Sequence, residues 1–268
     1  MRIRAAILIF VLALPFSAGA QSTCKVAAIG NTMVAMLDCL TSSLPDERKE
    51  AFYALLAHGT SVGEPDAPSA VLRLLRERRG RADDITRALI TALERENQLA
   101  SAHSAQNKLP GIQHPQQNYY MELISVVAAL GDTRAVNALA ATITSGPMVI
   151  GALGRMGSPA VDAVLARATS TDDNVRAAAI QVLAAMVIPG NRLAVRHQDV
   201  LRIEEALLAA AQDKAPNIRM SAVDGIGRLK NPDHYGLLQR IATRDPFRDP
   251  RGRYPVREAA QMVIQKYW

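Results

Sequence analysis

The chain has 268 residues, 49% of them hydrophobic and only 4% aromatic, with 31 basic and 25 acidic side chains and a formal charge of +6. That composition suits helices packed closely through small side chains, and the length allows one large domain or two small ones. The modest basic excess, without interleaved aromatics or groove-reading motifs, excludes nucleic acid as an expected partner.

Arg2 and Arg4 precede an apolar run from Ala5 to Pro15, and Ser17-Ala18-Gly19-Ala20 offers small residues for signal peptidase. Residues 1–20 therefore read as a secretory signal peptide cleaved after Ala20, which makes the mature chain periplasmic or secreted. No later stretch approaches the roughly 20 apolar residues that a transmembrane helix needs. Cys24 and Cys39 are the only cysteines, and an even pair in an oxidising compartment predicts a disulfide. A single helix over 24–39 would hold them about 22 Å apart, beyond bridging reach. The bridge therefore needs a reversal at Gly30-Asn31 and a helix that starts near Thr32. Two separately buried thiols are the alternative.

Ser43-Leu44-Pro45-Asp46-Glu47 predicts a helix start, and Phe52, Leu55 and Leu56 supply its apolar side. Further helices carry Ala70, Val71, Leu74 and Leu75, then Ile85, Leu89, Ile90 and Leu93. Between them Arg73, Arg76, Arg78, Arg79 and Arg81 form the densest basic cluster in the chain. It reads as a solvated helix end complementing the dipole, or as a docking patch for an anionic partner. The polar, proline-interrupted stretch 103–118 reads as a loop separating N-terminal helical hairpins (21–102) from an array (119–268), with a binding loop as the alternative.

Helices are expected from Tyr119 to Leu130 and from Ala135 to Ile143, and beyond them the sequence repeats. Gly154-Arg155-Met156-Gly157-Ser158-Pro159 returns 73 residues later as Gly227-Arg228-Leu229-Lys230-Asn231-Pro232. Asn174-Val175-Arg176-Ala177-Ala178-Ala179 returns after 43 residues as Asn217-Ile218-Arg219-Met220-Ser221-Ala222, and after 38 more as Pro255-Val256-Arg257-Glu258-Ala259-Ala260. Such periods signify stacked helix pairs. Gly225-Ile226-Gly227, too short for a phosphate loop, reads as close packing between repeats.

These residues resemble the HEAT-repeat family, in particular the short HEAT-like repeats of phycobilisome lyases and many bacterial proteins. The likeness is good over 148–186, fair over 199–229 and 231–268, and loose before that. It implies an all-α fold, an alpha-alpha superhelix (solenoid) of HEAT-like helical hairpins. It also implies an inter-repeat ladder of Arg176, Arg219 and Arg257 with Asp172 and Asp213 as acidic partners. In the last repeat Arg251 and Arg253 stand where acids are expected, within an insertion over 247–254.

Catalytic chemistry needs convergent polar groups at defined spacing. His58, His103, His114, His197 and His234 form no metal pair, and His103 and His114 read as solvated loop residues. No metal, cofactor or nucleophile motif is present, so none is assigned. The expected function is an exported, non-enzymatic scaffold or adaptor of the cell envelope. A protein partner would be held by the second helices of the repeats and by loops at 103–117 and 246–254. The alternative is an enzyme or enzyme accessory, lyase-like, with a site assembled on the concave face.

Overall fold

A computed structural model describes residues 32–59, 66–109 and 112–268. The signal peptide and Cys24 lie outside the described residues, so the Cys24–Cys39 pairing does too. Cys39 itself is fully buried.

Every described element is helical, with no strand among the described residues. The first four are α1 (Met33–Leu40), α2 (Pro45–Gly59), α3 (Ala67–Glu77) and α4 (Ala82–Asn107). There follow α5 (Gln117–Leu130), α6 (Val136–Ala141), α7 (Pro147–Met156), α8 (Ser158–Ala168) and α9 (Asp173–Met186). A short α10 (Pro189–Arg192) precedes α11 (His197–Ala210), α12 (Pro216–Leu229), α13 (Tyr235–Arg244) and α14 (Pro255–Tyr267). Proline at the first turn starts α7, α8, α12 and α14, where its missing N–H costs no intrahelical bond. Asp172 caps α9 by accepting from the Asn174 and Val175 amides, satisfying two of the orphan donors of the first turn.

The helices stand in two rows. In one, α3, α5, α7, α9, α12 and α14 each pack on the next; in the other, α4, α6, α8 and α11 do the same. Cross-contacts of α4 with α5, α6 with α7, α8 with α9, α11 with α12 and α13 with α14 close the rows on each other. At the start, α1 packs on α2 and α4, and α2 on α3. Between the rows run Leu123, Leu139, Leu153, Val164, Leu183, Leu207, Ile226 and Leu238, all fully buried. Small residues set the spacing. A Cβ on Gly227 would stand 2.3 Å from Val263 Cγ1, and one on Gly225 2.7 Å from Leu207 Cδ2. Any larger side chain there would push neighbouring helices apart.

The stretch expected as a loop over 103–118 is shorter than its polarity suggests. Helix α4 continues to Asn107 and ends on Lys108 in the left-handed conformation (φ 52°). His103 is thus helical, its backbone carbonyl accepting from Asn107 Nδ2 at 2.8 Å. Alanines and glutamines at 98–107 are good helix formers, and they outweigh the scattered serines. Across this segment α4 packs on α5 and α6, and it also packs on α1. No described helix is long and apolar enough to cross a membrane.

Candidate functional site

Three arginines stand at the fourth residue of a helix and share one bonding pattern. Arg48 Nη1 donates to the Ser42 carbonyl at 2.7 Å, Arg176 to Ser170 at 3.0 Å and Arg219 to Asp213 at 2.8 Å, each six residues back. The other edge of the guanidinium reaches an acid from a later helix or turn. Arg176 meets Asp213 with Nε and Nη2, both at 3.1 Å. Arg219 meets Asp245 at 2.7 and 2.9 Å, and Arg48 Nε meets Glu96 at 2.6 Å. Such two-pronged contact uses the planar fork of arginine.

Two of the expected ladder residues, Asp172 and Arg257, need correction, and two others, Asp245 and Arg48, join the pattern. Asp172 receives no described arginine: the fourth residue of α7 is Ile150, where the guanidinium would have to originate. It serves only as the cap of α9. The acid for Arg219 is Asp245, not a residue at 251 or 253. Asp213 and Asp245 are alike in accepting the amide two residues on, Ala215 at 2.8 Å and Phe247 at 3.0 Å, and the insertion after Asp245 disguised the equivalence. Arg257 bonds no carboxylate among the described residues. Its Nε donates to the Asp245 carbonyl at 2.7 Å and its guanidinium lies 3.9 Å over the Tyr254 ring. Arg48, absent from the expected ladder, follows Pro45 as Arg219 follows Pro216, and that spacing was the available signal.

Burial pushes the Asp245 carboxyl up, but hydrogen bonds from Arg219 and the Phe247 amide outweigh it and hold the group below its usual range. Asp213 behaves alike: burial opposes, while Arg176 and the Ala215 amide prevail.

Arg48 leads into a sealed polar cluster. Glu96 on α4 is fully buried and accepts from Arg48, from His114 Nε2 at 2.8 Å and from the Tyr119 hydroxyl at 3.3 Å. Burial raises its carboxyl, yet His114 and Arg48 bond the ionised form strongly enough to lower it overall. The Tyr119 hydroxyl is pushed upward by burial and by the Glu96 charge. His114 is therefore not solvated. Its Nδ1 accepts the Gln116 amide at 2.9 Å, which leaves the proton of a neutral ring on Nε2, pointed at Glu96. The ring stacks on Tyr120 at 4.7 Å, and Gln116 reaches Asp46 on α2 at 2.6 Å. The segment 112–116 thus straps α2, α4 and α5 together. The Arg48, Glu96 and His114 side chains are at most 3% exposed, and the cluster ties these helices together.

An accessible groove of about 790 Å³ runs from the end of α6 over the first turn of α7 and the N-terminal half of α9 to Asn217 at the start of α12. Ala140, Ala141, Ala177 and Ala178 line it with small apolar surface, and Asn174, Gln181 and Asn217 contribute amides. Asn174 and Asn217 are the second residues of α9 and α12 and occupy equivalent places in the sequence repeat. Ile112 from the strap, 42% exposed, closes one side. None of 246–254 lines it: that segment folds on itself, Asp249 accepting from the amides of Arg251 and Arg253, both at 2.9 Å.

No family model matches the chain, and no curated protein matches it.

The expected basic cluster divides in two. Arg73 pairs with Glu77 at 2.8 Å, whereas Arg76, Arg78, Arg79 and Arg81 stand exposed at the corner between α3 and α4. No group of His, Cys, Asp or Glu among the described residues is arranged to hold a metal ion.

Proposed function

We propose that the chain is a non-enzymatic scaffold or adaptor, exported to the cell envelope, that binds a protein partner along the groove crossing α7, α9 and α12. The two rows of packed helices, read with the sequence periods, support a solenoid of HEAT-like hairpins. The observation that carries the function is the repetition of Asn174 at Asn217 along one alanine-lined groove. Primary amides both donate and accept, so they pair with a polypeptide backbone whatever its side chains. Adjacent packed helices lie about 8–10 Å apart, close to three residues of extended chain at about 3.3 Å each. The chemistry fits an extended segment of a partner laid across the helices. Alanines in the floor let its backbone approach closely. Export and the Cys24–Cys39 bridge complete the proposal and rest on the sequence.

A photo-crosslinking residue at Gln181 tests it, against the same residue at Glu205 on α11. Adducts specific to Gln181, and lost in the Asn174→Ala, Asn217→Ala double variant, are expected. Equal adducts from both positions would remove the groove from the reading and return attention to an enzyme or enzyme accessory.

A further inference from the structure

At the corner between α3 and α4 the chain turns through Arg76, Arg78, Arg79 and Arg81, all exposed, with a 3-10 turn over Arg79–Arg81. The nearest carboxylates in sequence are committed elsewhere. Glu77 pairs with Arg73, Asp83 with Arg87 and Arg134, and Asp84 approaches Arg87. None of the four guanidiniums has an acid partner among the described residues. Arg48, Arg134, Arg176, Arg202 and Arg219, by contrast, are all paired. Four cations within six residues repel one another; the sequence-adjacent acids face other arginines, and Arg81 shares a cavity of about 270 Å³ with Asp38 and Asp84 without an ion pair to either.

Two further features describe what would meet this corner. Leu72 on α3 is 36% exposed and lies four residues before Arg76, so an apolar side chain and a guanidinium share one helix face. Gly80, between Arg79 and Arg81, has no atom within 4 Å of where a Cβ would stand. The turn is open, and a flat surface can approach its backbone.

We propose that this corner docks the protein on an anionic lipid surface, with the guanidiniums on headgroup phosphates and Leu72 at the headgroup boundary. Guanidinium matches phosphate oxygens with two parallel hydrogen bonds. A projecting turn meets a plane of many phosphates in several orientations, and a cationic face bearing an exposed leucine is the pattern of interfacial binding. Each arginine near such a surface strengthens partition roughly fivefold, so four together contribute roughly 600-fold.

The test is flotation of the full chain with vesicles of phosphatidylcholine alone and of phosphatidylcholine with phosphatidylglycerol. Expected is binding to the anionic vesicles only, weakened by salt. Replacing Arg76, Arg78, Arg79 and Arg81 with Gln should lower it roughly 600-fold. A second variant of equal net charge, with Arg155, Arg192, Arg240 and Arg244 replaced by Gln, should retain it. Leu72→Ser should weaken binding without altering its salt dependence. All these positions are exposed, and circular dichroism melts confirm that the variants are folded. The proposal is overturned by equal binding to both vesicles, by no binding to anionic vesicles at low salt, or by equal losses in the two arginine variants. Competition by millimolar inorganic phosphate would overturn it as well, since it would assign the corner to a soluble anion.

Discussion

Arg219 lays Nε and Nη2 against the two carboxylate oxygens of Asp245, 26 residues further along, at 2.7 and 2.9 Å. Both side chains are nearly out of water, at 11% and 5% exposed. The same guanidinium holds the carbonyls of Asp213 and Lys214. One side chain thereby joins the turn before its own helix to the turn after the next. Removing it leaves a buried carboxylate and two carbonyls without their donor, and such losses run to several kcal/mol. Arg219→Ala should destabilise the fold by about 3 kcal/mol in urea titration. Arg219→Lys should recover only part of this, because an ammonium cannot span both oxygens.

Acid should act through the same contacts. Asp245, Asp213 and Glu96 all have folded pKa values below their ordinary ones. Unfolded carboxylates titrate near pH 4. A depressed folded value contributes stability that is present above that pH and is lost as the pH falls through the folded value. The urea midpoint should hold between pH 7 and 5 and then fall steeply below about pH 4. Arg219→Ala should narrow its gap to the wild type in that acid window, since the Asp245 contribution is already gone. A constant gap down to pH 3 would show that Asp245 does not titrate through this contact.

Two glycines of positive φ differ in both backbone strain and crowding. Gly131 (φ +65°, ψ 16°) lies in the left-handed helical region, which other residues enter at a modest cost, whereas Gly157 (φ +66°, ψ −135°) lies in a region that essentially only glycine adopts. A Cβ on Gly157 would strike the Ala194 carbonyl oxygen at 2.3 Å, while nothing lies within 4 Å of one on Gly131. Gly131→Ala should cost about 1 kcal/mol, and Gly157→Ala about 2 kcal/mol more, by thermal melts. Equal losses would mean that the Gly157 backbone relaxes to a conformation alanine tolerates and that the 187–196 connection yields to the new methyl group.

Asp172 offers a site for adding a link. It shares the groove with Ile150, the residue occupying the place held by arginine in α9 and α12. Ile150→Arg sacrifices some apolar contact, so its net effect is a poor readout. The coupling in a double-mutant cycle with Asp172→Ala isolates the new pair and should reach about 1 kcal/mol. Zero coupling would show that the α7 backbone cannot deliver a guanidinium to that turn.

Much of the C-terminal helical pattern was legible because the repeats from Met148 onward carry their own alignment: proline starts, the apolar stripe and the arginine recur at countable offsets. What was not legible depends on partners distant in sequence. Nothing local distinguishes Glu96 from a solvated helix glutamate; only its pairing with Arg48, 48 residues earlier, and with His114 buries it. His114 reads as solvated because polar Gln113 and Gln116 and a turn-forming Pro115 surround it, yet the Gln113 amide bonds Ser104 and the Gln116 side chain bonds Asp46, which hold the strap down. Asp245 is masked in the sequence because the extra residues after it break the repeat register. The groove was foreshadowed by the equivalence of Asn174 and Asn217, but its alanine lining required knowing which helices pack.

The arginine contacts give the rows a direction. Arg176 takes its acid from the turn that follows α11, and Arg219 takes its own from the turn that follows α13. A helical hairpin cut out at its own ends would carry a guanidinium whose counter-charge stays behind in the next one. The smallest segment that can be copied or grafted intact therefore runs from one second helix to the following turn, out of phase with the hairpins that the eye picks out.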